Sequence, residues 1–274
     1  MKLLTLNTHS LVEPDYENKL QLFVEALAKY QPDIVALQEV NQSRISPEMP
    51  GYVLGRYMEV EGNKVRIKRD NHAFQVVKRL EEKGIFYNWT WLPVHVGYGK
   101  FDEGLAILSQ EPMKQIKGFF ISEKKDYNHF KTRKALAVQT QGLQVCCVHM
   151  GWWGDEEESY VKQWENLEKS LDMKEQTILL GDCNVRSDII GEGYDWIRKR
   201  GWQDTILLAE KRDDGITVPG AIDGWKEERK IKEGMRIDYI WCKEPMEIKS
   251  SKVIFNGRRE EIVSDHFGIL VETC

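Results

Sequence analysis

Polar residues stand at the ends of several apolar, strand-like segments, and their types are those that bind hard metal ions and move protons. The positions are Asn7, Gln38-Glu39, His149, Asp182 with Asn184, and Ser264-Asp265-His266. An acid at the end of one strand is more often part of a turn or a helix N-cap than a ligand. Five such positions in one chain indicate a site, because α/β folds bring strand ends and their loops together.

The carboxylates and amides in this set favour Mg²⁺ or Mn²⁺ as the bound metal. Glu39, Asp182 and Asp265 offer carboxylate oxygens, and Asn7 and Asn184 offer amide oxygens. These are hard ligands of the kind that Mg²⁺ and Mn²⁺ prefer, whereas a zinc site needs His and Cys clustered at short spacing. His149 and His266 can transfer protons or hydrogen-bond a phosphate. The set therefore points to metal-assisted chemistry on a phosphate ester.

The segment ILLGDCNV, residues 178–185, places an acid, a thiol and an amide at the end of a buried strand. Residues i and i+2 of an extended chain share a face, so Asp182 and Asn184 are predicted to point together at one ligand. Cys183 then points the opposite way, into the packing. Gly181 is predicted to let the strand end sharply.

Strands and helices alternate along the segments that would position these residues. A strand at 2–7, a helix at 19–30 and a strand at 34–40 form a βαβ unit with parallel strands. Residues 56–69 are predicted to be a loop or hairpin, and the aromatic segment 91–104 a loop that faces the substrate. The remaining helices are predicted at 71–84 and 156–173, and the remaining strands at 104–109, 135–140, 143–150, 177–182, 236–241, 246–255 and 268–273. Because strands also occur in consecutive pairs, we expect two mixed sheets with helices outside, in one domain spanning 1–274.

The composition sets further expectations about partners and location. The chain has 274 residues, of which 41% are hydrophobic, and a net charge of −5. A negative net charge argues against a protein that depends on non-specific binding of nucleic acid. No segment has the length of a signal-peptide core or a membrane span. The five cysteines are an odd number and include adjacent Cys146 and Cys147, which read as small core residues. We expect a cytoplasmic protein without disulfides or membrane contact.

Seven motifs carry a resemblance to a known family. They are LTLNTH, ALQEV, EGLAILS, VHMG, LLGDCNV, RIDYIW and VSDHFGI, and the match spans the chain from residue 3 to residue 270. Their order and spacing resemble those of the endonuclease/exonuclease/phosphatase superfamily. The resemblance implies a four-layered α/β sandwich and a divalent-metal phosphoesterase that attacks phosphorus in line with an activated water.

The resemblance also implies roles for individual residues. Asn7, Glu39 and Asp265 would hold the metal, and Asp182 would position or activate the water. Asn184 and His149 would bind the phosphate, with Glu103 orienting His149. His266 would act as a base or stabilise the transition state, with Asp238 fixing its tautomer. The substrate-binding candidates with weaker support are Arg133, Trp152, Thr217 and Asn71. The other histidines, His9, His72, His95 and His129, are expected to stand outside the chemistry.

The loops favour a small phosphorylated sugar as the substrate. Acids at 155–158 would repel a polyanion, although a helix N-terminus is the larger reason for them, and Trp152-Trp153 could stack on a sugar ring. The loops are similar to those of small cytoplasmic members of the superfamily in Gram-positive bacteria, among them a maltose 6′-phosphate phosphatase.

Three other functions are weighed against a sugar phosphatase. The first alternative is a Mg²⁺-dependent abasic-site endonuclease or exonuclease, supported by basic residues at 64–69 and 226–236. A sphingomyelinase-like phosphodiesterase comes next, without the apolar hairpin that membrane contact would need. A catalytically dead binding module would show gaps in the motif set, and none is found.

Overall fold

The architecture is seen in a computed structural model that describes residues 1–222, 225 and 234–274. Fourteen strands occur in this part of the chain: β1 Lys2–Asn7, β2 Ile34–Gln38, β3 Gln42–Ser43, β4 Asn88–Gly97, β5 Phe101–Ser109, β6 Lys114–Phe120, β7 Lys134–Thr140, β8 Leu143–His149, β9 Thr177–Asp182, β10 Gln203–Asp204, β11 Lys211–Arg212, β12 Asp238–Cys242, β13 Ile248–Ile254 and β14 Gly268–Thr273. The α-helices are α1 Tyr16–Tyr30, α2 His72–Glu82, α3 Tyr160–Ser170, α4 Gly193–Lys199 and α5 Thr205–Leu208.

The strands form two mixed sheets. The larger sheet has the order β11-β13-β14-β1-β2-β5-β3, with β4 also paired to β5, and the smaller has the order β10-β12-β9-β8-β7-β6. Strands β1 and β2 are parallel and are joined through α1, which confirms the predicted βαβ unit. Strands β8 and β9 are likewise parallel and are joined through α3.

Three apolar cores separate four layers. Alternate residues of β1 and β2, such as Leu3 and Ile34, pack between the two sheets, while Leu4 and Val35 pack under α1 and α2. A third core, with Trp164 at its centre, lies between the smaller sheet and helices α3 and α4. Adjacent Cys146 and Cys147 belong to different cores, because neighbouring residues of a strand point to opposite faces. The protein is therefore an α/β four-layered sandwich, as predicted.

The predicted loop at 91–104 is wrong. Residues 88–97 and 101–109 form the long antiparallel hairpin β4–β5, whose register shifts between Pro93 and His95. Trp89 and Trp91 are fully buried in it, and their indole N–H groups donate to Leu54 O and Val40 O. Proline and charged residues in this stretch obscure the alternation that would indicate a strand. The edge strand β6 was not predicted, because its residues are mostly exposed.

The acids at 155–158 do not occupy a helix N-terminus as expected. Helix α3 begins later, at Tyr160, with Ser159 as its N-cap and no acid in its first turn. Instead Asp155 pairs with Lys131, and buried Glu158 accepts hydrogen bonds from the backbone N–H groups of Glu123 and Lys124. These acids fasten the segment before α3 to the 122–133 loop.

No helix within the described ranges is both long enough and apolar enough to cross a membrane.

Candidate active site

A cavity of about 330 Å³ opens where strand ends of the two sheets converge. Nine of the predicted site residues line it: Glu39, Glu103, Arg133, His149, Trp152, Asp182, Asn184, Asp265 and His266. Asn7 and Asp238 lie directly behind the wall and hydrogen-bond its residues. Thr217 and Asn71 do not reach it.

Strand register places three of these residues side by side. In the smaller sheet His149 is paired with Asp182, and Asp182 is paired with Asp238. Neighbouring residues in register point to the same face of a sheet, so an imidazole and two carboxylates meet at one edge. Gly181 permits this arrangement in a way the sequence did not suggest. Its φ is 145°, and a Cβ there would overlap the Val148 carbonyl, so the glycine allows the close approach of β8 rather than ending β9.

Asp182 is held by hydrogen bonds to both carboxylate oxygens. Its Oδ1 accepts from the backbone N–H of Asn184 at 2.9 Å, and its Oδ2 accepts from Asn7 Nδ2 at 3.1 Å. Asn184 has a left-handed backbone with φ 49°, so the two side chains meet through a tight turn and not through the extended geometry that was predicted. Cys183 packs into the outer core, as expected. Burial and the charge of Asp238 raise the pKa of Asp182 to about 7.

His266 is fixed by Asp238. Its Nδ1 lies 2.9 Å from Asp238 Oδ2, and its Nε2 lies 3.9 Å from Asp182 Oδ2. Burial opposes the charged imidazolium, but Asp238 and then Asp182 outweigh it and raise the pKa of His266 to about 10. The carboxylate thus fixes the orientation of the ring and favours its protonated form, in which both ring nitrogens carry a proton. The contact with Nδ1 is the one predicted for Asp238.

Asn7 links two carboxylates through its amide nitrogen. Its Nδ2 donates to Glu39 Oε1 at 2.9 Å and to Asp182 Oδ2, while its Oδ1 accepts from the backbone N–H of His9. The second lone pair of the amide oxygen is left over, so the role of Asn7 as a metal ligand stays a prediction. The contacts made by Nδ2 hold the two carboxylates at a fixed separation.

The remaining carboxylates fit a divalent cation. Glu39 and Asp265 line the cavity, and the partly buried Glu39 lies beside the further charge of Glu103. Burial, then repulsion from Glu103, raise the pKa of Glu39 to about 8, so too little positive charge lies beside this carboxyl group to keep it ionised. A hard cation would supply it, with Glu39 and Asp265 as its oxygen ligands. His9, Glu13 and Asp265 also have ligand atoms within 4.8 Å of one another, but His9 and Glu13 are hydrogen-bonded to each other.

Arg133 contributes a positive charge to the cavity, and His149 contributes a neutral imidazole. The Arg133 guanidinium is buried and lies 5.7 Å from the centre of the Trp152 ring, and its Nε has no hydrogen-bond partner among the described residues. His149 Nε2 lies 3.6 Å from Asp182 Oδ2. Burial and the charge of Arg133 hold the pKa of His149 well below its ordinary value, so its ring is neutral. The guanidinium lines the cavity, so its charge is available to attract a phosphate there.

Glu103 does not orient His149 as predicted. Its Oε1 pairs with His95 Nε2 at 3.2 Å, because the two residues face each other across the β4–β5 hairpin. Burial alone would raise the pKa of Glu103, but His95 and Arg133 outweigh it and the pKa is lowered. Glu103 therefore carries negative charge at the cavity wall.

Two predicted substrate-binding residues serve the fold instead. The Thr217 hydroxyl oxygen accepts from the backbone N–H groups of Ile237 and Asp238 and is fully buried. Asn71 caps helix α2 by accepting from Phe74 N–H, and it donates to Gln42. Both side chains have their hydrogen-bonding groups satisfied away from the cavity.

Several residues at the cavity were missed or misjudged from sequence. His9 and His95, both expected to stand outside the chemistry, line it, together with Tyr98 and Phe130. Trp225 hydrogen-bonds Asn184 from behind. The position of His9, two residues after Asn7, was a usable signal, whereas His95 was hidden by the wrong loop prediction.

The chain belongs to the Endonuclease/Exonuclease/phosphatase family, whose sequence profile matches residues 4–266. Members of this family are metal-dependent hydrolases of phosphoester bonds, so the protein is a hydrolase of that class. No curated protein sequence shows significant similarity to it.

Solved structures support the same assignment. The chain is similar to an endonuclease/exonuclease/phosphatase family protein from Leptotrichia buccalis, with 29% identity, a TM-score of 0.84 and coverage of 100% of this chain and 99% of that one. A mannosyl-6-phosphatase from Bacteroides thetaiotaomicron has 15% identity and a TM-score of 0.64, with the same coverage. A 3′ phosphatase from Neisseria bound to product DNA hairpin has 19% identity and a TM-score of 0.64, again over 100% and 99%. The last two similarities show the fold alone.

Proposed function

We propose that the protein is a Mg²⁺- or Mn²⁺-dependent phosphomonoesterase that hydrolyses a small phosphorylated sugar of the maltose 6′-phosphate type. The observation that carries the proposal is that phosphate-binding groups and aromatic side chains line the same compact cavity. Arg133, His149 and Asn184 offer donors suited to phosphoryl oxygens, and Tyr98 and Phe130 add aromatic surface. A volume of about 330 Å³ suits a small molecule better than a nucleic-acid duplex.

The basic residues that favoured a nuclease are only partly engaged within the protein. In the 64–69 segment, Lys68 turns inward to Asp102 at 3.2 Å and is nearly buried, whereas Lys64, Arg66 and Arg69 are exposed. Of the 226–236 segment, residues 226–233 lie outside the described residues, and Arg236 is partly buried against Asp204 and Tyr239. Beside the cavity, Lys131 is neutralised by Asp155 and Glu157, so a polyanion would meet paired charges there.

The residues divide the reaction between them. Asp182, with both oxygens fixed, orients the attacking water and accepts its proton. Protonated His266 donates Nδ1–H to Asp238 and directs Nε2–H to the reacting centre, where it supplies the proton that the sugar oxygen takes up as its bond to phosphorus breaks. Arg133 and Asn184 donate to the equatorial oxygens, where charge develops. Glu39 and Asp265 would hold a divalent cation, which when bound would further stabilise that charge.

A substrate panel tests the proposal. The protein is assayed with Mg²⁺ or Mn²⁺ on maltose 6′-phosphate and other sugar phosphates, on a phosphodiester and on abasic DNA. We expect kcat/KM to be highest for a sugar phosphate and nearly independent of salt. Activity confined to abasic DNA, with affinity that falls steeply as salt is raised, contradicts the proposal.

A further inference from the structure

His9 and Tyr98 face each other across the cavity wall and have no part in the phosphate chemistry described above. His9 follows β1, and Tyr98 stands at the tip of the β4–β5 hairpin. His9 Nε2 lies 3.2 Å from the Tyr98 hydroxyl, and the ring centroids are 6.2 Å apart. Both side chains line the cavity, and half of the Tyr98 surface is exposed.

The backbone holds both residues in an unusual conformation. His9 has φ 46° and Tyr98 has φ 50°, in the left-handed region that non-glycine residues rarely adopt. Such strain persists where surrounding contacts fix it, and it is concentrated at functional sites. Here Ser10, also left-handed, donates its hydroxyl to Glu39 O at 2.7 Å and so fixes the turn that carries His9.

A buried carboxylate fixes the His9 ring. Glu13 Oε1 lies 2.7 Å from His9 Nδ1, and Glu13 is itself held by Lys19 and by the backbone N–H of Asp265 at 3.0 Å. Because Nδ1 is engaged with Glu13, Nε2 is the nitrogen that remains directed at Tyr98 and the cavity. The arrangement presents an imidazole nitrogen, a phenol hydroxyl and an aromatic face together.

We propose that His9 and Tyr98 form the subsite that binds the sugar portion of the substrate and so determine specificity for the leaving group. This inference rests on the proposed sugar-phosphatase function. The hydroxyl of Tyr98 and the Nε2 of His9 exchange hydrogen bonds with sugar hydroxyls, and the Tyr98 ring packs against the apolar face of the sugar. A phosphomonoester with a minimal leaving group, such as methyl phosphate, makes none of these contacts.

The test compares two substrates across three variants. Tyr98→Ala removes the ring and the hydroxyl, Tyr98→Phe removes the hydroxyl alone, and His9→Asn removes Nε2. For Tyr98→Ala we expect kcat/KM for maltose 6′-phosphate to fall at least about tenfold further than kcat/KM for methyl phosphate, chiefly through KM. The other two variants should show a smaller loss in the same direction. Tyr52→Ala, at an exposed tyrosine that does not line the cavity, is the matched control and should change neither value.

The outcomes separate this inference from the proposed function. If the wild-type protein hydrolyses sugar phosphates but the variants lose both substrates in equal proportion, the pair has only a structural role and the inference is wrong. If the wild-type protein hydrolyses no sugar phosphate, the proposed function and the inference both fail. Thermal unfolding of each variant shows whether it folds. A general loss of structure is then not mistaken for an equal loss of activity on both substrates.

Discussion

Trp225 donates its indole N–H to Asn184 Oδ1 at 3.0 Å, and this contact determines which end of the Asn184 amide faces the substrate. Asn184 Nδ2 donates to Met150 O at 3.0 Å, so both ends of the amide are assigned. The second Nδ2 hydrogen stays available to a phosphoryl oxygen. Trp225 is buried in a small apolar cluster with Val218, Met235 and Ile237, which fixes the indole in turn.

Trp225→Phe should lower kcat with little effect on folding. Phenylalanine keeps the packing but removes the donor, so the Asn184 amide is no longer held in one orientation. One hydrogen bond is worth about 1–1.5 kcal/mol, which corresponds to roughly a tenfold loss of kcat. Steady-state kinetics on the preferred phosphomonoester measures it, with KM changed less than kcat. Turnover within twofold of wild type would show that Trp225 does not position Asn184.

Asp238→Asn should lower kcat far more, by about 10²–10⁴-fold, because asparagine lacks the negative charge that orients the His266 ring and favours its protonated form. The fold should survive, since the backbone N–H of Asp238 keeps its partner in Thr217. Glu168→Gln is the matched control, because Glu168 pairs with Arg200 on the outer face of the molecule. We expect that control to keep normal turnover. A nearly active Asp238→Asn protein would remove His266 from the proposed mechanism.

The sequence was sufficient to predict the layers and much of the cavity, and the reasons are local. Strands such as 2–7, 177–182 and 268–273 have short, mainly apolar runs, and the structure gives them the predicted bounds. The motif residues at their ends converge because strand register carries them to one sheet edge. These features depend on periodicity and on chain order, both of which a sequence displays.

What the sequence could not supply is the partner of each polar atom. Thr217 and Asn71 are polar residues near motif positions, but backbone N–H groups from distant or following segments take up their oxygens. Asn7 donates through its nitrogen to Glu39 and Asp182, and its oxygen accepts from His9 N–H. Glu103 pairs with His95 because a hairpin register, invisible in the pattern, opposes them. The partner of each polar atom depends on which donors and acceptors the folded chain brings next to it, and the sequence pattern does not show this.

Replacement of Glu39 should weaken metal binding without lowering the stability of the metal-free protein. Glu39→Gln keeps an acceptor for Asn7 and removes a carboxyl group whose charged form is disfavoured without metal, so the metal-free variant should be at least as stable as wild type. Mg²⁺ or Mn²⁺ should raise the Tm of the wild-type protein and raise that of the variant much less, with Kd weakened at least about tenfold. Calorimetric titration and thermal unfolding measure both effects. Glu158→Gln, at another buried glutamate that bonds backbone N–H groups, should keep the metal response.

An equal Tm increase in Glu39→Gln and wild type would assign the metal to other ligands. The candidates would then be Asp265 with its neighbours His9 and Glu13, whose ligand atoms lie close together. Asp265→Asn tests that arrangement in the same titration.

His72 should make the protein less stable as the pH falls from about 7 toward 4. Burial lowers its pKa to about 3, and in the unfolded chain a histidine has a pKa near 6.5. Below pH 6.5 the histidine is protonated in the unfolded state but not in the folded state. The free energy of unfolding therefore decreases as the pH falls, by about 2 kcal/mol at pH 5. Denaturant unfolding at pH 7.5 and pH 5 measures the loss. His72→Gln still offers an acceptor to the Tyr16 hydroxyl, and it should lose less stability between the two pH values. The control His129→Gln, at a partly exposed histidine, should lose as much stability as wild type. An equal pH dependence in wild type and His72→Gln would mean that His72 is protonated in the folded protein.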